Sequence, residues 1–296
     1  MFLTYSSRLT EFCILSYILG LRHALDADHI AAIDNATRKL INEGKSSIYT
    51  GAFFALGHST MVFILTLMVS VSAETLSNVI PQLSEVGELL GTFISATILY
   101  IIGIANFLIF IDIYKKYINR KINIKDIKTG FMTKLLKGIF NIINKEYHMY
   151  IIGLLFGLGF NTATEVALLG LSAFISIQNY SISEVLLLPL SFTAGMVLVD
   201  SLDGIFMNRV YAWAFIDPFR KLYYNLTITI ISVILALFIG SIEFLQIISQ
   251  EFNLEGGIWN IVNNINFEGL GYIAVLIFGI GWIASIIYYK IKIDKK

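Results

Sequence analysis

Two histidines and two aspartates stand close together in the segment Arg22-His23-Ala24-Leu25-Asp26-Ala27-Asp28-His29-Ile30. Mainly apolar runs flank it on both sides, over residues 12–21 and 30–33. Ionisable side chains within apolar helices are rare and costly, and they usually mark a function. Neutral imidazole and carboxylate groups are natural ligands for a divalent transition metal. The segment therefore predicts a metal site, and its four candidate ligands are His23, Asp26, Asp28 and His29.

Three further polar clusters lie within apolar stretches, at residues 56–60, 157–165 and 195–204. Over these stretches and the first segment together, acids outnumber bases, since Arg22 is the only base. Such an excess of ionised acids is untenable in a low dielectric unless protons, water or a cation neutralise it. We expect His58 to complete or orient the metal site. The remaining candidates are expected to form a transport pathway, and they are Asn161, Thr162, Glu165, Asp200 and Asp203.

Each polar group also has a structural interpretation. His58 alone could form a hydrogen bond between helices. Asp200 and Asp203 share a helix face and could cap a helix or pair with His58 instead of guiding an ion. Hydroxyl groups often join membrane helices by hydrogen bonds, and this interpretation applies to Ser59, Thr60, Thr162 and Thr164.

The spacing within the first segment determines which candidate ligands would share a helix face. On one continuous helix with 3.6 residues per turn, His23, Asp26 and His29 share a face. Asp28 lies off that face. Either the helix is distorted here, or Asp28 has a different partner, such as Arg22 or His58.

Composition places the chain in a membrane. It has 296 residues, of which 56% are hydrophobic and 14% are charged, and its mean hydropathy is +0.75. Soluble domains carry roughly 25% charged residues. The net charge of zero gives no indication of a nucleic-acid partner, and a single cysteine, Cys13, excludes an internal disulfide or a thiolate cluster.

Apolar segments long enough to cross a bilayer predict about seven helices, because helices satisfy every backbone polar group in lipid. We therefore expect an all-α, polytopic transmembrane bundle that forms one integral-membrane domain over residues 1–296. The third, sixth and seventh helices lack polar clusters and are predicted to be scaffold. The seven segments cover residues 12–34, 50–72, 89–113, 149–177, 184–207, 223–248 and 269–289.

Lysine and arginine alternate between the predicted connections, and only Arg8 and Arg22 of the 21 depart from the pattern. By the positive-inside rule, the basic connections face the cytoplasm. We therefore expect the N-terminus outside and the C-terminus in the cytoplasm. The long basic connection at residues 114–147 is predicted to be a cytoplasmic loop, with no nucleic-acid partner.

Taken together, the four polar segments resemble the motifs of the nickel/cobalt transporter family, a class of secondary metal permeases. The family hallmark is His, four residues, Asp, His, and it corresponds to residues 22–30. The resemblance implies high-affinity uptake of Ni²⁺, and sometimes Co²⁺, by a multi-pass protein of the cytoplasmic membrane. The accompanying motifs are similar to Gly57-His58-Ser59-Thr60, Leu158-Gly159-Phe160-Asn161-Thr162-Ala163-Thr164-Glu165 and Gly195-Met196 through Asp200-Ser201-Leu202-Asp203-Gly204.

Two departures from the family pattern stand out. The family usually has eight spans with both termini inside, and its hallmark lies on the second span. Here only about twenty residues precede the hallmark, so the first span is expected to be absent, through a misassigned start or a shorter member. The outside N-terminus inferred from charge agrees with that expectation. The second departure is Asn161, where the family typically has Asp.

The function predicted from these features is secondary uptake of a divalent transition-metal ion, with Ni²⁺ favoured over Co²⁺ by the resemblance. The driving force is the membrane potential, at about 2.3 kcal/mol per unit charge per 100 mV. We expect the lipid bilayer and the ion itself as partners, with no resident cofactor and no ATPase subunit.

Two other function classes are weighed against uptake. The alternative is an integral-membrane metalloenzyme, although the sequence lacks the further histidines or aspartates that such enzymes need. A metal sensor that acts through residues 114–147 is a third possibility, and the sequence contains no signalling domain in its support.

Overall fold

The computed structural model of the chain describes residues 2–72, 80–118, 143–159, 162–178, 180–214 and 218–292. In these ranges the regular structure is helical, as predicted. The helices are α1 (Phe2–His23), α2 (Ala27–Asn42), α3 (Thr50–Ser72), α4 (Ile80–Ile118), α5 (His148–Phe156), α6 (Ala163–Ile177), α7 (Ile182–Val185), α8 (Leu187–Ala214), α9 (Pro218–Glu251), α10 (Gly257–Asn263) and α11 (Phe267–Lys292).

The predicted class of a polytopic membrane bundle is confirmed. Within the described parts of the chain, 5 segments are long and apolar enough to cross a bilayer. They lie in α3, α4, α7 with α8, α9, and α11. The other two predicted spans, residues 12–34 and 149–177, are each interrupted, and the interruptions position the polar clusters.

The first interruption separates α1 from α2 within the histidine segment. Asp26 is the N-cap of α2 and has an extended backbone, with φ −65° and ψ 143°. Arg22 and His23 occupy the last turn of α1, and Asp28 occupies the first turn of α2. Basic groups at a helix C-terminus and acidic groups at an N-terminus are both stabilised by the helix dipole. The charge pattern therefore favours a break here. The single span predicted over residues 12–34 is wrong, and the distorted helix that the spacing left open is confirmed.

The second interruption separates α5 from α6. Thr162 is the N-cap of α6 and has an extended backbone, and its Oγ1 accepts a hydrogen bond of 3.4 Å from the backbone N–H of Glu165. Threonine followed three residues later by glutamate is a helix-start pattern. The continuous helix predicted over residues 149–177 is therefore also wrong, because the local capping preference prevails over the apolar run.

Close helix contacts hold the two interruptions together at the centre of the bundle. The α1 helix packs along α8, and α3 packs between α5 and α8. At Gly153 of α5, an added Cβ would overlap the backbone carbonyl of Phe54 in α3. At Gly271 of α11, an added Cβ would overlap the backbone carbonyl of Leu25, within the first interruption. These glycines allow backbones to approach closely, as small residues do between membrane helices.

Several predicted boundaries shift. The α4 helix extends the third predicted span to Ile80–Ile118, and α2 continues to Asn42, so Arg38 and Lys39 lie in a buried helical turn instead of a loop. Lys39 Nζ donates a hydrogen bond of 2.5 Å to the backbone carbonyl of Ile143. Most of the predicted basic loop, residues 119–142, lies outside the described residues.

Candidate metal site

Three histidines from three helices converge in the interior of the bundle. His23 ends α1, His29 lies in the first turn of α2, and His58 lies in α3. One ligating nitrogen of each lies within 4.8 Å of the other two. Their ring centroids are separated by 4.8–4.9 Å, and each residue is at most 3% exposed. The interruption after α1 brings His23 and His29 together, so their convergence does not depend on the shared helix face that the spacing suggested.

Two carboxylates lie beside His23 and His58. Glu165 Oε1 lies 2.9 Å from Nε2 of His58 and 3.7 Å from Nε2 of His23. Asp26 Oδ2 lies 3.5 Å from Nδ1 of His23 and forms no hydrogen bond within the described residues. Both carboxylates are at most 2% exposed. The cluster therefore combines imidazole nitrogens with buried anionic oxygens, which is the donor set predicted for a transition metal.

The surroundings of His23 orient its ring. Nδ1 faces the hydroxyl groups of Thr164 at 3.2 Å and Thr162 at 3.3 Å, while Nε2 faces Nε2 of His58 at 3.0 Å. A proton on Nδ1, donated to a threonine oxygen, leaves the lone pair of Nε2 directed at the cluster. Such outer partners commonly fix the tautomer of a metal-binding histidine.

Asp200 of α8 lies beside the ring of His29, as the threonines lie beside the ring of His23. Its Oδ2 lies 3.4 Å from Nδ1 of His29, close enough for electrostatic attraction but without the geometry of a hydrogen bond. A carboxylate beside Nδ1 favours a proton there, which leaves the lone pair of His29 on Nε2. Asp200 therefore contacts His29, and pairing with His58 is not observed.

Apolar rings enclose the histidines. The ring of Phe54 lies 4.7 Å from that of His29, and the ring of Phe192 lies 5.4 Å from that of His23, measured between centroids. Both phenylalanines are fully buried. Low-polarity walls strengthen the attraction between the carboxylates and any cation among them.

Not every predicted site residue joins the cluster. Asp28 is half-buried, and its Oδ1 accepts a hydrogen bond of 2.8 Å from the backbone N–H of His29. Asp203 lies farther along α8, in electrostatic range of Asp34 and Asp200. Asn161 lies outside the described residues.

Glu243 of α9 is a buried acid that the sequence interpretation missed. It lies in a helix predicted to be scaffold, yet it is only 2% exposed. Its Oε1 accepts a hydrogen bond of 2.9 Å from Ser95 of α4, another predicted scaffold helix. The signal was an isolated glutamate between Ile242 and Phe244 within an apolar span, so a helix predicted to be scaffold also carries one buried acid.

Comparisons with known proteins agree with the motif resemblance. The model of the NicO family, described as high-affinity nickel-transport protein, matches residues 9–288. A high-affinity nickel transport protein of Cupriavidus necator is 42% identical over 290 residues, which cover 94% of this chain and 83% of the relative. The high-affinity nickel-transport protein NixA of Helicobacter pylori strain J99 is 41% identical over 295 residues, covering 95% of this chain and 88% of the relative.

A cobalt transporter is also similar. The cobalt transport protein NhlF of Rhodococcus rhodochrous is 35% identical over 294 residues, covering 94% of this chain and 82% of the relative. No solved structure gives a significant match. The family consists of transporters and not enzymes, which removes the support for a metalloenzyme. The chain therefore belongs to the NicO family of high-affinity nickel-transport proteins.

Proposed function

We propose that this protein takes up Ni²⁺ across the cytoplasmic membrane and that the ion binds among His23, His29 and His58 during transport. The observation that carries the proposal is the approach of three buried ligating nitrogens to within 4.8 Å of one another. Imidazole suits nickel, cobalt, copper and zinc, and the carboxylates beside it supply negative charge.

The charges around the histidines support a cation as the substrate. Asp26, Glu165 and Asp200 are each at most 2% exposed and lie within 3.5 Å of a histidine nitrogen. Neutral imidazoles leave these charges uncompensated, and burial of uncompensated charge is costly. A divalent ion bound between the imidazoles and the carboxylates offsets that cost.

Discontinuous helices support transport in preference to permanent storage of the ion. Transporters commonly place a substrate site near the bilayer midplane, where helices are interrupted. Here α1 ends at His23, α2 begins after Asp26, and α6 begins after Thr162. The short connections at these points have fewer helical hydrogen bonds to break than a continuous helix, so the ligands can separate as the ion leaves.

The proposed orientation follows the charge of the connections. The basic connections face the cytoplasm, and the base-free connection from α9 to α11 faces outside. A divalent cation that enters then gains roughly twice 2.3 kcal/mol per 100 mV. Nickel is favoured over cobalt because NicO relatives in Cupriavidus and Helicobacter are named nickel transport proteins. In addition, such ligands intrinsically bind Ni²⁺ more tightly than Co²⁺.

Accumulation of radiolabelled nickel tests the proposal. Cells that express the protein should accumulate nickel at submicromolar concentration, and His23→Ala should abolish accumulation because it removes a central ligand. His148→Ala is the matched control, since His148 lies at the start of α5 and contacts the backbone N–H of Asn144. Accumulation by the wild type no greater than in cells without the protein would disprove uptake. Equal accumulation by wild type and His23→Ala, at equal protein levels in the membrane, would disprove binding at the histidines.

A further inference from the structure

A polar cavity of about 520 Å³ lies beside the histidine cluster, between the interruption after α1 and the connection from α9 to α11. Four carboxylates line it, together with one base, Arg22. Arg22 pairs with Glu268 at 2.6 Å, which leaves three acids without a basic partner along the lining: Asp26, Asp28 and Glu243.

Glu243 is a buried acid of this cavity that lies outside the histidine cluster. Its side chain is buried, and one oxygen, Oε1, accepts a hydrogen bond from Ser95. The other oxygen, Oε2, is buried and has no hydrogen-bond partner within the described residues. A buried carboxylate oxygen without a donor is costly, and a cation in the cavity would satisfy it.

The size of the cavity suits a hydrated ion. A divalent cation with six water ligands needs roughly 180 Å³, at about 30 Å³ per water molecule. The cavity of about 520 Å³ therefore has space for such an ion with its shell intact. Asp28 and Glu243 supply carboxylate oxygens to the lining, and Gln246 and Asn266 supply amide oxygens. Such oxygens suit ions that keep several water ligands.

Asp26 connects the cavity to the histidines. It lines the cavity and also lies 3.5 Å from Nδ1 of His23. In the proposed orientation the cavity faces outside, where the substrate arrives. An ion held by Glu243 and Asp28 can therefore pass to Asp26 and exchange water ligands for imidazole nitrogens.

We propose that Glu243 and Asp28 form a first binding site, in which a hydrated divalent cation is held in the cavity before it reaches the histidines. The proposal rests on the proposed uptake function and extends it by naming where the ion first binds. It also assigns Glu243 a role in binding, in addition to its hydrogen bond with Ser95 between α9 and α4.

The variant Glu243→Gln separates these two roles. Glutamine keeps an oxygen that accepts the hydrogen bond from Ser95, and it removes the negative charge. The KM for nickel uptake should rise about tenfold, because a unit charge about 6 Å from a divalent ion contributes on the order of that factor in water. The maximal rate per transporter should change less than about twofold, since the histidine site is intact.

Two further variants complete the design. Glu251→Gln is the matched control, because Glu251 is an exposed acid at the end of the same helix, and its KM should equal that of wild type. Glu243→Asp keeps the charge and should give a KM between those of wild type and Glu243→Gln. External Mg²⁺, which carboxylates bind with its water ligands, should raise the apparent KM of wild type more than that of Glu243→Gln.

An unchanged KM in Glu243→Gln would overturn the proposal, and so would a lower maximal rate with an unchanged KM. The KM does not depend on the amount of transporter in the membrane, so the result holds even where the variant is less abundant. Failure of the uptake function itself would be recognised separately, because cells with the wild-type protein would then accumulate no more nickel than cells without it.

Discussion

His58 shows why the cluster favours a cation. Its Nε2 lies 3.0 Å from Nε2 of His23 and 2.9 Å from Oε1 of Glu165. Nε2 of His58 can carry one proton, and that proton can form one strong hydrogen bond. Protons alone therefore cannot satisfy His58, His23 and Glu165 together. A metal ion accepts lone pairs from both imidazoles and from the carboxylate at once.

A prediction for a single residue concerns Asp200, which lies 3.4 Å from Nδ1 of His29. The variant Asp200→Asn keeps the shape of the side chain but removes the charge that favours the metal-binding tautomer. Loss of such an outer partner commonly lowers metal affinity by about 10–100-fold, so the KM for nickel uptake should rise by a similar factor.

Kinetics of nickel uptake in intact cells measure this effect. Glu255→Gln is the control for loss of an acid, because Glu255 is exposed in the connection between α9 and α10. If Asp200→Asn kept the wild-type KM, then Asp200 would have no part in orienting His29.

For single residues, the sequence predicts which residues form the candidate site better than it predicts which contacts they make. The histidines, Asp26 and Glu165 stand out because ionisable groups are rare in apolar helices. The direction of Asp28 could not be predicted, because it depends on the N-terminus of α2, where its carboxylate accepts the N–H of His29. Glu243 was overlooked because no second ionisable residue lies near it in the apolar span, and its partner Ser95 is 148 positions away.

At the scale of the elements, the two interruptions are the main departure from a simple bundle of continuous helices. Their local signals are present in the sequence: basic Arg22 and His23 before acidic Asp26 and Asp28, and Thr162 followed by Glu165. Hydropathy conceals these signals, because an apolar window averages over a few polar residues. The close approach of α11 could not be predicted, since it depends on which distant helix packs against Leu25.

That approach leads to a prediction for Gly271. The variant Gly271→Val should displace α11 from the interruption after α1, because the added Cβ would overlap the carbonyl oxygen of Leu25. Overpacking of this kind costs about 1–3 kcal/mol. We expect a lower melting temperature of the purified protein and a lower nickel uptake rate per transporter.

The same helix offers a matched control. At Gly279 an added Cβ has no neighbour within 4 Å, so Gly279→Val changes helix propensity equally without overlap. Equal melting temperatures and uptake rates for the two variants would show that the contact between α11 and Leu25 has no structural importance.

At the scale of the whole molecule, the polar interior and the distribution of basic residues define a direction for transport. The cavity is lined in part by residues of the range 222–289, which contains no Lys or Arg. The basic residues lie in the alternate connections and at the C-terminal end. Under the positive-inside rule the acidic cavity faces outside, and this orientation stays a prediction.

Cysteine labelling in intact cells tests the orientation. Cys13 is the single cysteine, so Cys13→Ser gives a background without thiols. In that background, Glu255→Cys should react with a membrane-impermeant maleimide added outside, and Ser46→Cys should react only after the cells are permeabilised. Both positions are exposed. The reverse labelling pattern would contradict the orientation.

The central claim is that nickel binds to the three converging histidines, and X-ray absorption at the nickel edge of the purified, nickel-loaded protein tests it most directly. We expect three imidazole ligands in the wild type and two in His58→Ala, with one nickel ion bound per chain. A coordination shell made only of oxygen, or a shell that His58→Ala leaves unchanged, would contradict it.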